Sequence, residues 1–101
     1  MINIVAKNQR GIIDLCRKYG VKRLDLFGSA AAETAFSPDS DIDFFFEFDA
    51  NSVGLADRYF GLIEDLQTLL HHNVDMVSIP DARNPYFLRV ANQHRTTLYA
   101  A

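Results

Sequence analysis

Apolar and polar positions recur along this chain with two different periods, and the switches between them mark out its elements. Within residues 3–19, Ile4, Val5, Ile12, Ile13, Leu15 and Cys16 return at mixed steps of three and four, which predicts one amphipathic helix in spite of Gly11. Gly20 then stops it, because glycine takes the left-handed C-terminal cap at least cost. Arg17 and Lys18 in the last turn suit the negative end of the helix dipole. Residues 21–27 read as a first strand whose second half, Leu24 to Phe27, is treated as an apolar run. Residues 29–35 predict a short helix capped by Ser29, and Ser37, Pro38, Asp39 and Ser40 have the composition of a turn. Residues 41–48 form the second strand. After the polar break at Asp49, Ala50, Asn51 and Ser52, the residues Leu55, Tyr59, Leu62, Ile63, Leu66, Leu69 and Leu70 fall at helical spacing and define the longest helix, closing near Asn73. Residues 74–79, bounded by Pro80, predict a third strand. Asn84 and Pro85 open a last helix through about Arg95, with Pro85 at its first position, and Thr96 to Tyr99 suits a short edge strand. The order implies an α/β (α+β) fold, a small mixed central sheet with helices packed on it. No repeat or linker divides it, so residues 1–101 are expected to be a single domain.

Composition narrows the class. A hydrophobic content of 49% with 12% aromatics belongs to a folded globule. The net charge is −3 and the ten basic residues are scattered, which argues against direct nucleic-acid binding, since phosphate neutralisation needs clustered Lys and Arg. The lone Cys16 excludes an internal disulfide and a multi-cysteine zinc site and fits a reducing compartment. No apolar run approaches the roughly 18 residues of a spanning helix, and no signal-peptide pattern opens the chain. The expectation is therefore a cytoplasmic protein without a membrane segment.

The candidate chemistry lies where the second strand begins. Alternation along a strand puts Asp41 and Asp43 on one face, while Ile42, Phe44, Phe46 and Phe48 point to the other, so one face carries charge and the other core. Carboxylates this close raise each other's pKa, and a hard divalent cation such as magnesium relieves the repulsion. Gly28 and Ser29 follow the first strand, where glycine lets the backbone turn close to a ligand and a helix start attracts anions. Asp75 sits between apolar neighbours in VDMVSI, where a buried unpaired carboxylate would cost several kcal/mol. If its strand lies beside that of Asp41, the three carboxylates converge on one point. Taken singly, each feature has a plain explanation as a solvated turn; the three in this order outweigh it. His71 and His72 are adjacent at a helix end and point apart, which suits solvated histidines better than a metal site. His94 reads as a surface residue and Cys16 as a small core hydrophobe.

A Gly-Ser pair about a dozen residues ahead of Asp-x-Asp, with a further Asp on a later strand, resembles the DNA polymerase beta nucleotidyltransferase superfamily. More narrowly the chain is similar to the minimal nucleotidyltransferase domains that act as antitoxins beside HEPN toxins, in its size, in Lys18-Tyr19-Gly20-Val21 and in Asn84-Pro85-Tyr86-Phe87 ahead of a last helix. The resemblance covers nearly the whole chain. It implies a polymerase-beta-like fold, ATP as substrate with Mg2+, Asp41, Asp43 and Asp75 as the metal-binding and catalytic carboxylates, and Gly28, Ser29 and Ser40 as the nucleotide-binding residues. It also implies a partner, a HEPN ribonuclease toxin silenced by AMP modification of a tyrosine, and an interface formed by exposed helix surface and residues 84–87. The family's Ala-Arg-Gly after Gly-Ser is replaced here by Ala31-Ala32-Glu33, so its phosphate-gripping arginine is absent; Arg23 and Arg83 are candidates for that role. Two other readings share the fold: a domain that neutralises its partner by binding alone, and a small-molecule nucleotidyltransferase, for which the chain shows no substrate-binding domain.

Overall fold

The computed structural model describes residues 1–32, 36–50, 53–78 and 95–101. Its frame is one mixed sheet of β1 (Val21–Phe27), β2 (Ile42–Phe48), β3 (Val74–Ser78) and β4 (Arg95–Ala100), in the order β3-β2-β1-β4. β1 runs antiparallel to both β2 and β4, and β2 runs parallel to β3. A parallel pair cannot be closed by a hairpin, and α4 (Leu55–Leu70) is the crossover between its two strands.

Period two on the strands and period 3.6 on the helices meet in one core. Leu24 and Leu26 of β1, Ile42, Phe44 and Phe46 of β2, and Val74 and Met76 of β3 pack with Ile12 and Cys16 of α2 (Gln9–Tyr19) and with Leu62, Leu66 and Leu70 of α4. The two helices are antiparallel and close. A Cβ on Gly11 would stand 3.0 Å from Leu69, and one on Gly61 would stand 2.8 Å from the ring of Tyr19. Gly11, a weak helix residue by propensity, is thus explained by packing. Arg58 fastens the same corner: its Nε donates to the Tyr19 carbonyl at 2.8 Å, its terminal amine donates to the Gly20 carbonyl at 2.9 Å and to Asp49 at 3.0 Å, and its guanidinium lies 4.5 Å from the Phe48 ring centroid.

Several sequence expectations need correction. The single helix over residues 3–19 is two, α1 (Asn3–Ala6) and α2, because Asn8 donates its side-chain amide to the Ile4 carbonyl at 2.7 Å and its backbone N–H to Val5 at 3.1 Å. Asparagine competes in this way for backbone carbonyls a helix would use. The Gly20 cap is as expected, left-handed at φ 69°. α4 ends on His71, itself left-handed at φ 54°, rather than near Asn73. The short helix after Gly28 is described as α3 (Ser29–Ala32), and residues 33–35 lie outside the described residues. The last helix expected over residues 84–95 also falls outside them apart from Arg95, which opens β4 instead. Residues 96–99 are in that edge strand, as expected.

The far face of the sheet is not simply charged. Phe45, on the Asp43 face of β2, is fully buried and stacks on Phe27 with ring centroids 3.9 Å apart. Asp25, opposite Phe45 on β1, is fully buried as well. Its charge is answered by two arginines: Arg23 Nε donates to one carboxylate oxygen at 3.1 Å and Arg95 Nε to the other at 2.6 Å.

Candidate active site

At one end of the sheet β1 runs out into Gly28 while β2, β3 and β4 begin. Register fixes a row of residues across this end: Arg95 opposite Phe27, Phe27 opposite Asp43, and Asp43 beside Asp75. Directly paired residues share a face, so Asp43 and Asp75 stand side by side on neighbouring strands, as the sequence suggested. Asp41 immediately precedes β2. Burial, then the negative charge of Asp75, then that of Asp41 push the Asp43 carboxyl up to about 6. The three carboxylates therefore form one electrostatic group. They do not close on a single point: among the described residues no three His, Cys, Asp or Glu side chains gather tightly enough to hold a metal ion unaided. Asp75 is exposed rather than buried, because β3 is an edge strand of the described sheet and its side chain at this row meets solvent.

The donor set nevertheless fits a hard cation. Magnesium commonly takes one or two carboxylates and completes its shell with water and substrate phosphate. The Asp43 carboxyl is raised first by burial and then by repulsion from Asp75 and Asp41, and a bound cation would offset that repulsion. Gly28 is shaped to the same spot: its φ is 73°, and a Cβ there would stand 2.9 Å from Asp43 Oδ2, so a side chain would meet both backbone strain and the carboxylate. Its carbonyl accepts the N–H groups of Ala31 and Ala32 at 3.1 Å each, which starts α3 with Gly28, not Ser29, in the position before the helix. Ser40 organises the turn ahead of Asp41, its hydroxyl accepting the Ser37 N–H at 3.0 Å while its own N–H donates to the Ser37 carbonyl at 2.9 Å.

Of the arginines named from the sequence, Arg23 is committed to Asp25 and donates to the Thr97 hydroxyl at 3.4 Å, and Arg83 lies outside the described residues. Arg95 and Asp25 were missed. Asp25 carried the same signal as Asp75, a carboxylate between apolar neighbours in a strand, but was absorbed into the run from Leu24 to Phe27. His71 is the helix cap, His72 Nδ1 is 3.0 Å from the Leu70 carbonyl, and His94 lies outside the described residues. Burial pushes the Cys16 thiol up to about 12, leaving it inert. A groove of about 570 Å³ lies at the other end of β2, lined by Phe46, Phe48, Leu55, Tyr59 and Phe60 among others, and is separate from the carboxylates.

Comparison with known proteins shows the family and the fold. A family model for the nucleotidyltransferase domain matches residues 10–98. A candidate protein adenylyltransferase of Methanocaldococcus jannaschii is 41% identical over 69 residues, which span 68% of this chain and 68% of that protein. Among solved structures, a candidate minimal nucleotidyltransferase superposes with a TM-score of 0.72 at 25% identity, over 93% of this chain and 94% of that one. A toxin–antitoxin pair crystallised with AMP-PNP contains a chain of the same fold, with a TM-score of 0.69 at 23% identity over 93% of this chain and 74% of that chain. So does the complex of tri-AMPylated Shewanella oneidensis HEPN toxin with its MNT antitoxin, at 0.63 and 19% identity over 95% and 72%. With a family match over most of its length and a relative 41% identical over two thirds of it, the chain belongs to the nucleotidyltransferase domain family and is a nucleotidyltransferase.

Proposed function

We propose that this enzyme is an antitoxin that uses magnesium and ATP to transfer AMP to a tyrosine of a partner HEPN ribonuclease toxin in the cytoplasm. The observation that carries the reading is the electrostatic group of Asp43, Asp75 and Asp41 set against the Gly28 turn. Asp41 and Asp43 would hold the metal with Asp75 completing the site, and Gly28, Ser29 and Ser40 would border the nucleotide. A bound magnesium supplies charge neutralisation for the phosphates and for the oxygens that attack and leave. The tyrosine oxygen forms a bond to the α-phosphorus, the bond from that phosphorus to the bridging oxygen breaks, and pyrophosphate departs. Asp75, the most solvent-open carboxylate on a strand here, takes the phenol proton. Names of the relatives support the acceptor: one is a candidate protein adenylyltransferase and another is an antitoxin bound to an AMPylated HEPN toxin. Exposed Leu55 and Phe60 on α4 offer apolar surface for a partner; residues 84–87, the other expected contact, lie outside the described residues. Among the described residues no helix is long and apolar enough to cross a membrane.

One observation favours the alternative of neutralisation by binding alone. Ala31 and Ala32 put no cation on α3, and Glu33 follows them. Incubation of the partner with this enzyme, magnesium and ATP decides the matter: mass spectrometry should find AMP added to a partner tyrosine, and Asp41→Asn, Asp43→Asn and Asp75→Asn should each abolish it. A partner that binds yet stays unmodified would overturn the transferase reading.

A further inference from the structure

We propose that the apolar groove beside the first turns of α4 is where the partner docks, and that it takes a helix of that partner with an apolar face flanked by lysine or arginine; the inference rests on the reading of this chain as an enzyme with a HEPN partner. Among the described residues the exposed large hydrophobics are Val53, Leu55 and Phe60, and all of them lie at or just ahead of those turns. Water reaches 67% of Phe60 and 44% of Leu55. One exposed leucine needs no explanation, but Leu55 and Phe60 line a groove of about 570 Å³ together with Phe46, Phe48 and Tyr59. Phe46 is part of the main core and Phe48 and Tyr59 pack against it, so the groove opens onto that core. Phe60 is also braced. Its ring meets Tyr59 edge to face at 5.2 Å, and Tyr59 lies 5.5 Å from Phe46. A rigid aromatic beside a pocket makes an interface anchor at little ordering cost.

Charge identifies the occupant. Asp57, Phe60 and Glu64 are all exposed and follow one another at steps of three and four along α4, a line about 10 Å long on one side of the helix. A partner helix lying along it would meet it with residues three, four and seven apart. Asp57 and Glu64 make no ion pair among the described residues. The acids that line the groove itself are already answered, Glu47 by Lys22 at 3.9 Å and Asp49 by Arg58 at 3.0 Å, and Arg58 is turned inward onto the Tyr19 and Gly20 carbonyls. What is left over is negative. In a two-fold contact through this face, a second copy of the chain would set the same uncompensated acids against each other, and its net charge of −3 would add to the repulsion. Lysine or arginine beside an apolar face answers both the groove and its rim. The groove also lies away from the carboxylates: from Asp43 to Phe48 is about 17 Å of extended strand. A partner seated there leaves Asp43 uncovered, so docking should govern KM for the partner and not turnover at saturation.

The test is calorimetric titration of the full chain with purified HEPN partner in the absence of nucleotide, alongside thermal melting and sedimentation of each variant. Phe60→Ser, which removes an exposed ring, should keep the melting temperature and weaken the partner at least about tenfold, as loss of an aromatic anchor does. Asp57→Lys combined with Glu64→Lys should weaken it at low salt, by a factor that shrinks as salt is added. In the modification assay Phe60→Ser should raise KM for the partner while kcat and KM for ATP stay as in the parent. Unchanged partner affinity in both variants would overturn the inference, as would tighter binding after charge reversal, the mark of an acidic occupant. A parent that sediments as a dimer, dispersed by Phe60→Ser, would assign the groove to a second copy and overturn it too. A parent that does not bind the HEPN partner at all would overturn the antitoxin reading, and the inference with it.

Discussion

Two aspartates on neighbouring strands of this sheet behave in opposite ways because of what surrounds them. Burial and two like charges raise Asp43 to about 6. For Asp25 burial acts in the same direction, but hydrogen bonds from Arg23, Arg95 and Thr97 outweigh it and hold the carboxyl below its ordinary range. The consequences for stability have opposite signs. Between the ordinary carboxylate pKa and about 6 the folded protein holds a proton on Asp43 that the unfolded chain has lost, so this residue makes stability fall as pH rises through that window. Asp25 contributes stability that is present above its unfolded pKa and lost as pH drops through its folded one. Asp43→Asn, neutral and nearly the same shape, should therefore raise the melting temperature of the metal-free protein at pH 7.5, with the advantage shrinking as pH is lowered from 6 to 4. A variant that melts lower than the parent at pH 7.5 would count against the crowded geometry. At this scale the sequence made Asp41 and Asp43 legible through alternation and an aromatic neighbourhood. It left Asp25 hidden in the run from Leu24 to Phe27, because one of its two arginine partners, Arg95, is 70 residues away.

Elements were legible wherever one period dominates. β1 agrees with the sequence reading, and α4 differs only at its end, where His71 caps it. Residues 3–19 misled because their apolar spacing continues across Asn8, and periodicity carries no record of a side chain that captures a backbone carbonyl. The packing of α2 on α4 is decided by small residues whose role appears only when the helices are brought together. Gly61→Val should overpack the contact with Tyr19, whose ring would stand 2.8 Å from the first added carbon. The expected cost is about 1 to 3 kcal/mol, read as a lower denaturant midpoint at constant slope. An unchanged midpoint would show that the ring moves aside at no cost.

For the molecule as a whole, catalysis and partner binding use different surfaces in the proposed reading, so they should separate under mutation. An Asp41→Asn, Asp43→Asn double variant should still co-purify with the HEPN partner but fail to restore growth to cells expressing it. Full protection by that variant would mean that binding suffices and would remove catalysis from the account.

What the sequence determined by itself was whatever depends on near neighbours: the strand and helix periods, the Gly20 cap, the turn at residues 37–40 and the closeness of Asp41 to Asp43. These follow from backbone geometry within a few residues, and such geometry is local. Only the tertiary structure decided that β2 and β3 are parallel with Asp43 beside Asp75, that Asp75 is exposed on an edge strand, and that Gly28 abuts the Asp43 carboxylate. It alone brought Arg95, opposite Phe27, to the buried Asp25, an aspartate that had been read as part of the apolar run from Leu24 to Phe27. Sheet order and register set those relations, and both are settled by how the two faces of the sheet are covered, which no single stretch of chain records.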